Sequence, residues 1–182
     1  RMPRTLVLEE ATPDAVAPYG ALVGAGLGAG RGTAFYDDAV VLYDTPRFSS
    51  DADTCLSVAR VHPRAGDVRF LERHFKHTQA FLPLNGAEYA VVVAPPTPTS
   101  DVPELDAVRA FRFRGDRGFL MHVGTWHEFP FALAAPLDLV VVLRNETNRN
   151  LDAVANGEAV GDDLQKRNVA QRFGAVLRVL LD

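Results

Sequence analysis

The stretch Leu71-Glu72-Arg73-His74-Phe75-Lys76-His77-Thr78-Gln79, closed by Gly86, is answered downstream by His122-Val123-Gly124-Thr125-Trp126-His127. Written as patterns, these are E-x-H-x4-Q-x6-G and H-x-G-x-x-H. On a β-strand, residues i and i+2 point to the same face. Glu72 and His74 therefore aim two donor groups to one side of a sheet. Gln79 returns on the following strand, and His127 arrives from a distant one. Four such donors converging predict a site for small-molecule chemistry.

The donor types narrow that chemistry. Glu72, His74, Gln79 and His127 supply imidazole nitrogen with carboxylate and amide oxygen, and no thiolate, which disfavours a structural zinc cluster. The set suits a divalent nickel, manganese, iron or zinc ion, and ligand type alone does not choose among them. Glu72 and His74 can also act directly as acid and base. His122, five residues before His127, is expected to orient it or to serve as general acid or base, because histidine titrates near working pH. His77 is expected to be exposed in the turn before Gln79. Arg60, in the alternating run Leu56 to Arg60, and Arg144, at the end of an apolar run, are candidate clamps for a substrate carboxylate through the planar guanidinium. Each also fits an ordinary salt bridge. Ser57 faces opposite to Arg60 on an unbulged strand. Trp126 either walls the pocket on the substrate side or packs in the core.

Alternation extends outward from this stretch along most of the chain. Short apolar or alternating runs cover Thr5 to Glu9, Cys55 to Val61, Val68 to Leu71, Gln79 to Leu82, Glu88 to Val93, Ala107 to Phe113, Gly118 to His122 and Leu137 to Leu143. Turn chemistry separates them at Pro63-Arg64-Ala65-Gly66, Pro95-Pro96-Thr97-Pro98 and Arg114-Gly115-Asp116-Arg117-Gly118. Asn85-Gly86 reads as a hairpin turn, since both residues tolerate positive φ. Many short strands punctuated in this way predict an all-β sandwich or barrel, and a jelly roll suits this number of strands. Helices are expected at both ends. Thr12-Pro13 supplies a cap and a first-turn proline. Val169, Phe173, Val176, Leu177 and Leu180 repeat with helical spacing, predicting a helical extension over 160–182 in which Gly174 marks a close packing contact. The whole, 1–182, reads as one domain.

Composition excludes several function classes. The 182 residues are 47% apolar and 23% charged, with net charge −4 and the two signs interspersed, so no basic face points to nucleic acid. No apolar run approaches the length of a membrane span. No basic-plus-apolar leader is present, which leaves secretion without support. The single Cys55 is expected to be a small core or near-surface residue rather than a nucleophile, and fits a reducing cytoplasm. The glycines between Val23 and Gly30 have G-x-G-x-G spacing but lack the following helix and later acid of a dinucleotide site, so they predict a loop.

The two patterns are similar to the paired metal-binding motifs of cupin barrels, which usually read H-x-H-x4-E-x6-G and P-x-G-x-x-H. More closely, Leu71-Glu72-Arg73-His74, Thr78-Gln79-Ala80-Phe81-Leu82-Pro83-Leu84 and Trp126-His127 with Pro130 resemble the ureidoglycolate lyases, as do weaker echoes at Pro18-Tyr19-Gly20, Gly32-Thr33-Ala34 and Arg60. The resemblance covers roughly residues 6 to 145. It implies a cupin-type jelly-roll barrel, usually a homodimer, that cleaves ureidoglycolate to glyoxylate and urea, with a divalent metal such as nickel or manganese. The chain departs from the pattern at Glu128, where relatives often have a second histidine. It departs again at Leu143-Arg144 and the following Asn145-Glu146-Thr147-Asn148, and beyond about residue 160. These departures leave open a related enzyme for another small hydroxy- or oxo-acid, oxygen or isomerase chemistry with iron or manganese, and a non-catalytic ligand-binding module.

Overall fold

The computed structural model describes residues 4–43, 47–145, 147 and 157–182. Its strands run β1 (Arg4–Glu10), β2 (Gly20–Val23), β3 (Gly30–Gly32), β4 (Val41–Tyr43), β5 (Thr54–Val61), β6 (Asp67–Val68), β7 (Phe70–Arg73), β8 (Gln79–Pro83) and β9 (Tyr89–Ala94). They continue as β10 (Arg109–Phe113), β11 (Gly118–Met121), β12 (Trp126–His127), β13 (Phe131–Ala132), β14 (Leu137–Arg144), β15 (Ala159–Val160), β16 (Gln165–Asn168) and β17 (Leu177–Leu180). Each run expected to be extended contains a strand, with Arg69 interrupting Val68 to Leu71 and Ala107 ending a 3-10 turn before β10. Between β1 and β2, Thr12 caps the short helix Pro13–Val16, its hydroxyl accepting from the Ala15 N–H at 3.2 Å.

Two sheets carry the architecture. The smaller has five strands in the order β2-β11-β8-β14-β5. The larger follows the path β15-β16-β7-β12-β9-β10-β1-β17-β6, with β13 also on β9. Only Arg69 separates β6, one end of that path, from β7, third from its other end, so the path turns back on itself and the sheet curls. The result is a β-rich half-barrel with few helices, consistent with the cupin-type barrel expected.

β9 lies at its centre, buried at all six positions. One face, with Val91 and Val93, meets Phe81, Phe119, Leu139 and Val141 of the smaller sheet. The other, with Ala90 and Val92, meets a second core of Leu71, Trp126, Phe131, Val169 and Leu177. A strand covered on both faces reads as a continuous apolar run, as Ala90-Val91-Val92-Val93-Ala94 does.

Two local expectations are corrected. Asn85-Gly86 makes a turn with Gly86 at φ 72°, but it passes the chain from β8 in one sheet to β9 in the other and closes no hairpin. The Asn85 side chain fixes it by donating to the Pro136 carbonyl and accepting from the Asp138 N–H. The expected C-terminal helix shrinks to Val169–Phe173. Gly174 ends it in the left-handed conformation at φ 58° with open space where a Cβ would stand, so this glycine terminates a helix and marks no packing contact. The chain then extends as β17, parallel to β1 and antiparallel to β6. Leu177 and Val179 face inward, while Arg178 and Leu180 face out, which is the alternation of a strand.

Candidate active site and metal centre

β7 lays Leu71 and Arg73 on one side and Glu72 on the other. Arg73 is buried away from Glu72, donating to Gln165 Oε1 and to the carbonyls of Thr97 and Ser100, with its guanidinium 4.4 Å over the Trp126 ring. Directly across the ladder from Glu72 stands His127 of β12. Cross-strand partners share a face, so their side chains meet, with Glu72 Oε1 3.6 Å from His127 Nε2. His74, just past the end of β7, completes a group in which three ligand atoms lie within 4.8 Å of one another. Gln79 opens β8 in the facing sheet and lines the same cavity as Glu72 and His74.

The histidine tautomers follow from their partners. His127 Nδ1 faces the Thr125 carbonyl at 3.0 Å, and His74 Nδ1 faces the Asp163 carbonyl at 3.2 Å. A carbonyl only accepts, so each Nδ1 carries the proton and each Nε2 presents a lone pair. Both Nε2 atoms are buried without a hydrogen-bond partner, as is Gln79 Oε1. A buried acceptor left without a donor costs about 1–3 kcal/mol. Converging lone pairs beside a carboxylate are what a divalent cation requires, so these residues fit one.

Electrostatics separate the roles. Burial pushes the His127 imidazole down to about 4, and burial with the neighbouring His127 and His77 holds His74 well below its ordinary value, so both are neutral at pH 7. Burial, helped by the nearby Glu128 carboxylate and opposed by Lys166, raises the Glu72 carboxyl to about 7. Glu72 is thus poised between acid and base.

Two cavities meet at Glu72 and Phe129. One, of about 120 Å³, lies between the sheets and is lined by Ser57, Ala59, His74, Gln79 and Thr147 among others. The other, of about 280 Å³, is lined by Phe70, Glu72, His127, Glu128, Phe129 and Lys166. Ser57 therefore faces inward, as its offset from Arg60 requires.

Four expected site residues are placed elsewhere. His122 is exposed, with Nε2 on the Ala17 carbonyl at 3.1 Å, because its position after β11 turns it away from the cluster. Arg60 points outward from β5 and forms a two-point ion pair with Asp138, its neighbour across the ladder, at 2.7 and 3.0 Å. Arg144 is buried against Asp51 at 2.6 Å. Trp126, one residue from His127, faces the opposite side of β12, packs in the second core and donates Nε1–H to Thr97 Oγ1. His77 is corrected in the other direction: it is buried, 2.6 Å from the Asp163 carboxylate. Of the Leu143–Asn148 departures, Glu146 and Asn148 lie outside the described residues.

The ureidoglycolate lyase family model matches residues 3–161. The chain belongs to the ureidoglycolate lyase family. A ureidoglycolate lyase of Pseudomonas syringae pv. tomato (strain ATCC BAA-871 / DC3000) is 33% identical over 155 residues, spanning 82% of this chain and 88% of that one. Another, of Pseudomonas entomophila (strain L48), is also 33% identical over 155 residues and is covered to 90%. Glu72, His74, Gln79 and His127 all fall inside the span shared with the ureidoglycolate lyase family. Asp163 and Lys166 fall beyond it. Neither carries a local pattern that would single it out: each reaches the site by long-range pairing, Lys166 lying across the ladder from Glu72 through β16 and β7.

Proposed function

We propose that this protein is a lyase that cleaves the C–N bond of ureidoglycolate to give glyoxylate and urea. Family membership supports the reaction, and one observation carries its assignment to this site: Glu72, neutral or charged near pH 7, borders two buried imidazole lone pairs and an amide oxygen. The substrate is a carbinolamine. Its C–N bond breaks when the hydroxyl gives up a proton and the leaving urea nitrogen gains one. Glu72 takes the hydroxyl proton as carboxylate and returns it to the nitrogen as carboxylic acid, so no net proton is consumed. His74, Gln79 and His127, with the Glu72 carboxylate beside them, would hold a divalent cation of the nickel, manganese, zinc or iron kind. Such a cation, when bound, lowers the pKa of the carbinol hydroxyl.

The carboxylate clamp expected of Arg60 and Arg144 passes to Lys166, which lines the larger cavity with Glu72 and His127. The Phe70 ring 4.9 Å from Lys166 Nζ and the Phe129 wall give that end an apolar border. The reading includes a cytoplasmic homodimer. On β5, an edge strand, Leu56 is 73% and Val58 69% exposed, beside Val140 and Val142 of β14, and an exposed apolar row on an open edge favours a second copy.

Urea release from racemic ureidoglycolate, measured with and without added nickel or manganese, tests the reaction. Stoichiometric urea and glyoxylate are expected. No urea above the uncatalysed rate under any metal condition would overturn it.

A further inference from the structure

The larger cavity holds a carboxyl group that the proton transfer above does not use. Glu128 lines it together with Glu72, His127, Lys166 and the rings of Phe70 and Phe129. The Glu128 N–H donates to the Val92 carbonyl at 3.1 Å, tying the residue to β9 just past the end of β12. The side chain is fixed in turn, Oε1 accepting from the Phe129 N–H at 2.8 Å. Among the described residues nothing donates to Oε2, and no cation pairs with either oxygen. Lys166 is in the same position: its Nζ lies 4.9 Å from the Phe70 ring, and no described carboxylate pairs with it.

A half-buried carboxylate and a half-buried ammonium thus border one cavity without pairing with each other. Charges drawn out of water are otherwise paired, so the two suit a ligand that is itself polarised. Its acid end meets the ammonium, and hydrogen-bond donors at its other end meet the carboxylate. Ureidoglycolate has that polarity. Its carboxylate falls to Lys166 and its carbinol carbon to Glu72, which leaves the ureido group, with N–H donors on both nitrogens. A carboxylate accepts hydrogen bonds and donates none, so Glu128 repels the acid end of the substrate and matches the ureido end.

We propose that Glu128 determines specificity at this site by accepting hydrogen bonds from the terminal ureido amide while Lys166 holds the opposite end. The proposal rests on the reading that ureidoglycolate occupies the cavity with its carboxylate on Lys166. Reversing the substrate would bring two carboxylates together and leave the ammonium without a counter-charge. The pair therefore presents the carbinol carbon to Glu72 in one orientation, and selects N-carbamoyl over N-acyl compounds.

Two unreactive ligands, measured by calorimetry with nickel added, test this. N-carbamoylglycine is the substrate with hydrogen in place of the hydroxyl, and N-acetylglycine further replaces the terminal amide nitrogen with a methyl group. The unaltered protein is expected to bind N-carbamoylglycine about 10–100-fold more tightly, the range of a hydrogen bond to a charged group. In Glu128→Leu that preference is expected to fall below about threefold, with N-acetylglycine bound as before. Glu128→Gln, which keeps one acceptor, retains part of it, and Lys166→Ala weakens both ligands alike. Equal affinity of the unaltered protein for the two ligands, binding of neither, or the full preference surviving in Glu128→Leu overturns the role of Glu128. The comparison in the unaltered protein stands whether or not a variant folds. A preference lost in Glu128→Leu, in a protein that releases no urea from ureidoglycolate, upholds Glu128 as the ureido contact and rejects the lyase reaction.

Discussion

Asp163 is the residue whose chemistry is most constrained by its surroundings. Burial works to raise its carboxyl, but hydrogen bonds from His77, Thr147 and the Lys76 N–H more than offset this and hold it far below the ordinary value of 3.8. A carboxyl depressed on folding stabilises the fold fully above the unfolded value and loses that contribution as pH falls through the folded one. Asp163→Ala is therefore expected to lower stability by about 3–5 kcal/mol at pH 7, as removal of one partner from a buried pair does. Denaturant unfolding is expected to show the gap between variant and unaltered protein closing as pH drops below 3.8. A gap independent of pH would contradict this. The pair escapes the sequence because His77 and Asp163 lie 86 positions apart, and nothing in either neighbourhood signals the other. Glu72, His74, Gln79 and His127 were legible because alternation and ladder register place donors at fixed spacings, whereas the orientation of an isolated arginine or of His122 depends on partners that spacing does not encode.

At the level of elements, pattern reading succeeds where a strand has one buried face or two. β14 alternates buried and half-buried positions over Leu137 to Leu143, and β9 is apolar throughout. It fails at β17. There Val176, Leu177 and Leu180 satisfy a helical period by coincidence, and the real alternation covers only four residues. The parallel partner that stabilises them, β1, lies at the other end of the chain. Gly174 carried the decisive signal, as a helix terminator rather than a contact. β5 presents the opposite case: a strand whose outer face keeps Leu56 and Val58 in solvent within one chain. The double substitution Leu56→Glu, Val58→Lys is expected to convert the proposed homodimer to a folded monomer, seen by light scattering with unchanged circular dichroism. A protein that stays dimeric after both changes would remove β5 from the interface.

For the whole molecule, the curl of the larger sheet against the smaller one is what turns scattered residues into a centre. β7 and β12 bring Glu72 and His127 into register, β8 carries Gln79 across from the facing sheet, and the residues around β16 deliver Asp163 and Lys166. Glu72, raised to about 7 by burial, is the group proposed to move the proton in C–N cleavage. Because the carboxylate form is the base, kcat/KM for ureidoglycolate is expected to rise with pH through about 7 and then level. The most direct measurement is that pH profile for the unaltered protein and for Glu72→Gln, followed by urea release. The variant is expected to lose the limb near pH 7 and about 10²–10⁴ in rate; a Glu72→Gln protein with the unaltered rate and the same limb would rule Glu72 out as the proton carrier.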